Sequence, residues 1–528
     1  MSMLPFEPLR RTTTAAAVLT LTLLASACAT TATRDDHAGV GFDDAGTSVV
    51  ADGSGFADDA GNVDGAVGND GAPIPDGAAD TSQTAADGGS RTAGGGIGSG
   101  GNGGGGTGGS GTGSGGSGTA QVRMGPGVTA KEVRIGFEVS EGLTEAFGAV
   151  GFNNGGEVPK EEQIVLALTR WLNKRGGIRG RTVVPVIHKT NPTSGSFSTQ
   201  AQAACSTFTE DNQVFAAGSA PAAGSEVLAA CMASKRTPFL AHNYWPFGEQ
   251  HFRQWAGYFY QPGRASGERH WAASVDALAA AGFFQQAKVG IVHFDAPHFR
   301  HLVKDVVVPS LARHGVKAPT QAAVSTIYQA SDVSKVSAEA NNIILRFRAE
   351  GVTHVLFVEY QGTIPFFFLP QAETQSYRPA YGLVSSNNPS TVAKQSPAAQ
   401  LQKVMGVGWN PSGDTLKSNY HPNATAVQCE TAMREGGYAV DYSAAGFYLY
   451  PHCDTLLFLK AAIERAEELT PQGLAKAVAN LGDSYLSPQT IVSRFGPGRA
   501  DGSNGYRLFA FNEACACFAY RGPVRPLE

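Results

Sequence analysis

The feature that most constrains the fold is an alternation, from residue 128 onward, of short apolar runs with longer amphipathic segments. The run Val133–Phe137 is short, apolar and typical of a buried strand. The segment Glu161–Lys174 repeats its apolar side chains at helical spacing, and Gly176 with Gly177 ends it. Strands that alternate with helices predict parallel sheets whose faces are covered by helices.

The alternation restarts after Tyr258–Gly263 and partly returns near the C-terminus. The other predicted strands are Thr182–Ile187, Val214–Ala217, Pro238–Ala241, Lys288–His293, His354–Glu359, Ala380–Val384 and Val404–Val407. The other predicted helices are Thr199–Thr209, Ser225–Ser234, Glu268–Ala281, Leu302–Arg313, Asp332–Glu350, Ala445–Arg465 and Pro471–Asn480. Two series of this kind predict two α/β lobes.

Residues 29–120 have a different composition. Between residues 29 and 90 there are twelve Asp, one Arg and no Glu or Lys, and a Gly/Ser/Thr tract covers residues 94–119. Because such a segment has few large apolar side chains, it cannot offset the entropy lost on ordering, and we predict a disordered tether. The remaining 408 residues carry a formal charge of about +4 without a basic run, which predicts no nucleic-acid partner.

Residues 1–28 are predicted to be a secretory signal. Arg10 and Arg11 precede the apolar stretch Ala15–Leu24, and small residues lead to Cys28. The end of this segment resembles a bacterial lipobox, in which Cys28 would be lipidated, although Ala25 stands where such motifs prefer Leu. An ordinary cleavable signal is the alternative. The prediction is an extracytoplasmic protein anchored to the outer face of the cell membrane.

Six further cysteines favour an oxidising compartment. An even number in an exported chain predicts three disulfides, for which fifteen connectivities exist. Cys205 and Cys231 fall on successive predicted helices and are plausible partners, and we also pair Cys429 with Cys453, and Cys515 with Cys517. Zinc is the rival explanation, but a CxC pair without a second nearby Cys/His pair is a poor ligand set.

Several short motifs resemble one known family. Trp171–Arg181 contains the turn N-x-x-GGI-x-G of type I periplasmic binding proteins, and it is most similar to the leucine/isoleucine/valine class of ABC importers. Ala287–His293, Cys453–Ala466 and the pairing of Cys205 with Cys231 fit the same family. The resemblance runs from residue 128 to the C-terminus. It implies two Rossmann-like lobes with parallel sheets joined by a multi-strand hinge.

The same resemblance sets the expected lobe boundaries. Residues 128–262 plus about 400–450 would form the N-terminal lobe, and residues 263–399 plus about 467–528 the C-terminal lobe. The hinge would include Gln261–Gly263, and the chain would be a monomer that binds its ligand by cleft closure.

Ligands of open α/β sheets bind beyond the carboxyl ends of the strands. In the first lobe this rule selects Ser219, Ala220, His242, Asn243 and Tyr244. Helix capping is the alternative role for Ser219, and core packing is the alternative for Tyr244. Amino acid binders of the family have hydroxyl-rich loops at these two places, so an amide, a base, an aromatic acid or a larger metabolite is an equal candidate ligand.

In the second lobe the rule selects Phe294, Asp295, Glu359, Tyr360 and Ser385. Glu359 is expected to pair with a ligand ammonium, with a salt bridge or solvated loop carboxylate as the alternative. Tyr360 is expected to form an aromatic wall. Glu138 and Glu141, near the first strand, are further candidates.

Signatures of catalysis are missing from the sequence. The glycine positions that would flank Ser219 in a GxSxG turn are held by Ala217 and Pro221. Neither HExxH nor a zinc-ribbon spacing occurs in the histidine-rich stretch, which contains His293, His298, His301 and His314. We therefore predict that the chain is not an enzyme and has no cofactor or metal.

The predicted function is that of a solute-binding lipoprotein, which captures a small polar metabolite (an amino acid, an amide or a related compound) and delivers it to an ABC permease. A ligand-sensing or scaffold lipoprotein without a transport role is the alternative, because both roles need the same closing cleft.

Overall fold

The computed structural model describes residues 122–142, 160–191, 194–219, 225–242, 245–327, 332–420, 422–438 and 445–527. The predicted signal, the tether and Cys28 lie outside these residues and stay predictions. Within the described ranges, no helix is both long enough and apolar enough to cross a bilayer.

The strands of the described residues are β1 (Glu132–Ser140), β2 (Thr182–Thr190), β3 (Ala216–Ser219), β4 (Phe239–Leu240), β5 (Phe259–Tyr260), β6 (Val289–Phe294), β7 (Thr320–Val324), β8 (His354–Val358), β9 (Ala380–Val384), β10 (Met405–Gly408), β11 (Gly505–Asn512) and β12 (Cys517–Pro526).

The α-helices of these residues are α1 (Glu161–Lys174), α2 (Phe197–Ser206), α3 (Ser225–Ser234), α4 (Glu249–Gln254), α5 (Gly267–Ala280), α6 (Pro297–His301), α7 (Val308–Arg313), α8 (Val333–Ala349), α9 (Thr363–Thr374), α10 (Pro389–Gln395), α11 (Ala398–Leu401), α12 (Pro411–Asp414), α13 (Ala424–Glu435), α14 (Tyr450–Ile463) and α15 (Pro471–Ala479).

The strands form two sheets, one for each lobe. The first sheet has the order β2-β1-β3-β4-β5 and is parallel throughout. The second has the order β12-β11-β10-β9-β8-β6-β7, in which β11 and β12 add an antiparallel edge to parallel strands. The two α/β lobes that the sequence predicts are therefore present.

Strand β10 joins the second sheet, whereas the sequence analysis placed residues 400–450 with the first lobe. It pairs in parallel with β9, with Met405 opposite Gly382. The later residues are also divided differently, because α15 and Phe495 pack in the core of the first lobe while β11 and β12 belong to the second sheet. Which remote strand a short apolar segment joins depends on its tertiary partners.

Helices from the C-terminal part of the chain complete the first lobe. Buried side chains of α13, α14 and α15 pack with those of β1 and α1 in one hydrophobic core. A second core on the other side of the sheet combines α2 and α3 with the end of β4. The chain therefore passes between the lobes more than once.

Two of these crossings run side by side. The backbone N–H of Gln261 donates to the carbonyl of Ala500 at 3.0 Å, and the N–H of Gly502 donates back to the carbonyl of Gln261 at 2.9 Å. A Cβ atom at position 502 would lie 2.0 Å from the carbonyl oxygen of Pro262, so only glycine permits this approach. These paired segments occupy the place where the sequence analysis expects the hinge.

All three predicted disulfides are confirmed. Cys205–Cys231 joins α2 to α3 with the Cα atoms 6.2 Å apart, and Cys429–Cys453 joins α13 to α14 with a separation of 5.8 Å. Cys515–Cys517 closes the turn between β11 and β12. The first two bonds fix helices on opposite faces of the first sheet.

Loss of the Cys429–Cys453 bond is expected to lower the free energy of unfolding by about 3 kcal/mol, because the bond closes a 24-residue separation and restricts the unfolded chain. We expect this in a Cys429→Ala/Cys453→Ala variant followed by urea unfolding. The matched control is Cys515→Ala/Cys517→Ala, whose separation of only two residues restricts the unfolded chain far less. Equal losses in the two variants would contradict the chain-entropy account.

Candidate ligand-binding site

The carboxyl edge of the first sheet brings two buried polar side chains together. Glu138 on β1 is the register partner of Ser219, the last residue of β3. Register partners of parallel strands project to the same face of the sheet, so the two side chains are neighbours. Glu138 is 1% exposed and Ser219 is fully buried. Neither the two carboxyl oxygens of Glu138 nor the hydroxyl of Ser219 has a hydrogen-bond partner in the described part of the chain.

Burial, together with the smaller effect of the nearby carboxyl of Glu161, raises the pKa of Glu138 to about 8. Glu161, the first residue of α1, is also buried and lies 2.8 Å from Nε2 of His452 on α14. Burial likewise raises the pKa of Glu161, while the hydrogen bond from His452 lowers it. This edge of the first lobe is therefore a buried acidic environment in which His452 is already engaged.

Among the predicted residues of the first lobe, Ala220, Asn243 and Tyr244 lie outside the described residues. The hydroxyl of Ser219 caps no described helix, which leaves the capping alternative without support. His242 is fully buried, with Nε2 2.9 Å from the hydroxyl of Thr455 and Nδ1 3.1 Å from the amide nitrogen of Gln489.

The surroundings of His242 fix its protonation. The amide nitrogen of Gln489 can only donate, so Nδ1 of His242 accepts this hydrogen bond. Nε2 therefore carries the ring proton and donates it in a hydrogen bond to the hydroxyl of Thr455. Burial holds the pKa of His242 well below its ordinary value. Both ring nitrogens therefore serve contacts inside the protein rather than presenting a free donor to a ligand.

Glu359 in the second lobe is buried and makes hydrogen bonds to its own chain. Its carboxyl oxygens accept the backbone N–H of Gly362 at 3.2 Å and of Thr363 at 2.9 Å, and also the side-chain amide of Asn387. Gly362 has φ +80°, a left-handed conformation that lets the chain turn back under the carboxylate. Glu359 thus caps the start of α9, a local role that the sequence analysis did not consider.

Asp295 and Ser385 also bond within the second lobe. Asp295 is half exposed and forms an ion pair with Arg300. The hydroxyl of Ser385 donates to Asp414 at 2.9 Å and accepts the backbone N–H of Trp409 at 2.8 Å. These contacts hold the segments that follow β6 and β10, so both residues support the carboxyl edge of the sheet.

An aromatic cluster lies at the carboxyl ends of β6 and β8; we call it the Trp245 cluster. The ring of Trp245 has its centroid 5.1 Å from that of Tyr360 and 5.2 Å from that of Phe299. Tyr360 lies 5.2 Å from Phe294, and His298 stacks on Trp245 at 6.2 Å. The predicted residues Phe294 and Tyr360 are therefore brought together.

Trp245 is the link between the lobes in this cluster. It follows β4 of the first sheet, yet it packs against the hydrophobic cores of both lobes. The sequence analysis named neither His298 nor Phe299 as site residues. The sequence does contain a feature that could have identified them. Pro297 lies three residues after the end of β6 and is the first residue of a helix, so His298 and Phe299 lie near the end of this strand.

Within the described ranges, no group of three or more His, Cys, Asp and Glu side chains is placed to hold a metal ion. Of the histidine-rich stretch, His301 contacts Asp305 at 2.8 Å and His314 contacts Asp276 at 2.7 Å.

No family model and no curated protein matches the chain. Solved structures do match. A possible leucine/isoleucine/valine-binding protein from Rhodopirellula baltica shares 14% identity, with a TM-score of 0.53, and the match covers 74% of this chain and 97% of that one. A branched-chain amino acid ABC transporter protein from Thermus thermophilus, solved with bound valine, shares 13% identity over 75% and 97% of the two chains, with a TM-score of 0.56.

A fatty acid ABC transporter substrate-binding protein from Thermomonospora curvata is similar to the same extent, with 16% identity, coverage of 77% and 94%, and a TM-score of 0.52. Identities this low are informative about the fold and not about the ligand. The two lobes, their parallel sheets and these likenesses show that the chain has the fold of the type I periplasmic binding proteins.

Proposed function

We propose that this chain is an extracytoplasmic solute-binding lipoprotein. It captures a small polar metabolite between its lobes and delivers it to an ABC importer, without catalysing a reaction. The observation that carries the proposal is the pair of unpartnered buried groups on Glu138 and Ser219 at the carboxyl edge of the first sheet. Buried polar groups of folded proteins usually form hydrogen bonds, so a buried pair available at the carboxyl edge of the sheet can contact a bound solute.

A thermal-shift screen of the full chain tests this proposal. The panel contains amino acids, amides, amines, nucleobases, sugars and organic acids. A specific ligand at a hundred times its dissociation constant stabilises the fold by about 2.7 kcal/mol, which gives a clear shift. The shift should shrink in Ser219→Ala and persist in Ser234→Ala, which removes an exposed hydroxyl at the end of α3. Silence across the whole panel would count against a solute receptor.

The lipid anchor and the permease follow from the N-terminal segment and the fold. Lipidation at Cys28 would hold the chain at the outer face of the membrane, while residues 29–120 would let the globule reach its permease. A Cys28→Ala chain should then be released from membranes. If it stays membrane-bound, the anchor lies elsewhere.

Cleft closure depends in this proposal on Trp245. A Trp245→Ala variant is expected to unfold about 3 kcal/mol more easily and to open the lobes, because the ring contacts with Phe299 and Tyr360 disappear. Small-angle scattering of the ligand-free protein should show a larger radius of gyration.

The matched control for that experiment is Trp255→Ala. Trp255 is 7% exposed, and among the described residues its ring contacts are to residues 247–259 of the first lobe, at 5.1 Å from His251 and 5.4 Å from Phe259. It should lower stability without changing the radius of gyration. An unchanged scattering profile for Trp245→Ala would show that the Trp245 cluster does not hold the lobes.

A further inference from the structure

The unpartnered groups of Glu138 and Ser219 also indicate what kind of chemical group they bind. A buried carboxyl group normally receives two or more donors, and leaving it without any costs free energy. The oxygens of Glu138 receive none in the described part of the chain, and the neighbouring hydroxyl of Ser219 has no partner either. Once Glu138 is ionised, its carboxylate and the hydroxyl oxygen of Ser219 therefore offer three acceptor atoms on adjacent strands about 5 Å apart.

The charged groups around this region are acidic or already engaged. Glu161 acts on Glu138 through its negative charge, and its own partner is His452. On the other side of β1, His188 is the register partner of Glu138, but its Nδ1 lies 2.9 Å from the hydroxyl of Thr207. Burial lowers the pKa of His188, so it is neutral near pH 7. No Lys or Arg pairs with Glu138 in the described ranges.

We propose that Glu138 and Ser219 receive the cationic, N–H-donating head group of an organic amine, and that a carboxylate binds there more weakly. The inference deepens the proposed function and rests on it. An ammonium group offers three donors and a positive charge, which match the three acceptor atoms and the acidic surroundings. A carboxylate could be held only by the neutral form of Glu138, would gain no ion pair there and would meet the like charge of Glu161.

Binding of such a ligand has a measurable proton balance. Near pH 7 the empty site holds Glu138 mostly as the neutral acid. When the ammonium docks, Glu138 ionises, forms the ion pair and gives its proton to the buffer. One ammonium is thus taken up and close to one proton is released. A carboxylate or an uncharged ligand bound elsewhere would not have this signature.

Isothermal titration calorimetry with matched probes tests the inference on the full chain. The pairs are phenethylamine with 3-phenylpropionate, and isopentylamine with 4-methylpentanoate, which share a body and differ in the charge of the head group. Each amine is titrated at neutral pH in phosphate and in MOPS, which contains no primary amine and whose heat of ionisation differs from that of phosphate. We expect an amine to bind at least ten times more tightly than its matched acid and to release close to one proton.

The variant Glu138→Gln should lose at least tenfold in amine affinity and should release no proton. Glu132→Gln, an exposed residue at the other end of β1, should keep both properties. Because Glu138→Gln removes a buried ionisable group without changing its size, it is expected to fold, and the two-buffer measurement on the unmodified chain stands independently of it.

The outcomes separate the inference from the proposed function. If acids or zwitterionic amino acids bind and Glu138→Gln leaves their affinity unchanged, the inference is wrong while the chain remains a solute receptor. If no amine binds, the inference is also wrong. If, in addition, no compound of the thermal-shift panel stabilises the protein, the proposed function is wrong as well.

Discussion

The free energy of unfolding is expected to fall by about 4 kcal/mol as the pH rises from 6.5, the ordinary pKa of histidine, to 8. Most proteins change little over this interval. Here three buried carboxyl groups hold their protons well above the usual range, because burial disfavours their charged forms. They are Glu138 and Glu359, each with a pKa of about 8, and Asp414, with a pKa of about 7.

The sign follows from which state binds more protons. In the unfolded chain these groups ionise near 4.5 or 3.8, whereas the folded chain keeps them protonated up to about 7 or 8. Between those values the folded state therefore binds more protons, and each group lowers stability by about 1.4 kcal/mol per pH unit as the pH rises. The stabilising protonation is fully present at low pH and is lost as the pH passes through the folded-state pKa values.

Buried histidines have the opposite effect below pH 6.5. Burial lowers the pKa of His270 to about 3 and of His298 to about 4, and it lowers that of His242 as well. The unfolded chain then binds more protons at these positions, so acidification destabilises the fold through them. Because the two sets oppose each other between about pH 4.5 and 6.5, the stability curve should be nearly flat there and fall steeply above pH 6.5.

Urea unfolding at a series of pH values measures this curve. The Glu138→Gln variant should reduce the mean downward slope between pH 6.5 and 8 by about 1 kcal/mol per unit, since one group no longer titrates. Glu132→Gln, which is exposed, should keep the slope. Stability that rises with pH over this interval, or a slope that Glu138→Gln leaves intact, would show that these carboxyls are ionised in the folded state.

The sequence was sufficient to predict the two-lobe fold, because the strands and helices of this fold can be recognised from the local spacing of apolar residues. The apolar faces of α1 and the short apolar strands do not depend on remote partners, and Cys205 with Cys231 could be paired because their helices are consecutive. Strand β10 was recognised as a strand but assigned to the wrong lobe, because its neighbour β9 is chosen by tertiary packing.

The strand ends that define the candidate site could be predicted from the sequence, whereas the contacts of their side chains could not. The strand-end rule located Ser219 and Glu359, yet it could not show that Gly362 turns the backbone of α9 onto Glu359. It located His242 as well, but the partners of this ring, Thr455 and Gln489, are more than 200 residues away in sequence. Long-range side-chain contacts of this kind leave no trace in local composition.

Replacing Asp454 is expected to have the largest effect of any single substitution considered for this chain. Asp454 is fully buried on α14 and accepts hydrogen bonds from the hydroxyls of Tyr485 and Ser487, the latter at 2.6 Å, and from the amide of Gln489 at 3.3 Å. Its nearest oxygen is 3.6 Å from Nδ1 of His242. The carboxylate therefore ties the segment 485–489 to the helix and to the strand end beside it.

Asp454→Ala should lower the free energy of unfolding by about 4 kcal/mol, because several buried donors would lose their acceptor in a region closed to water. Asp454→Asn should cost less, since Tyr485 and Ser487 donate to different oxygens of Asp454 and the amide nitrogen replaces only one of these acceptors. Asp483→Ala, at an exposed turn after α15, is the matched control and should change stability by less than about 0.5 kcal/mol. Urea unfolding at neutral pH ranks the three variants. If Asp454→Ala destabilises the protein no more than Asp483→Ala does, water or a rearranged side chain satisfies these donors. The hydrogen bonds of Asp454 would then not be what holds α14 to the segment 485–489.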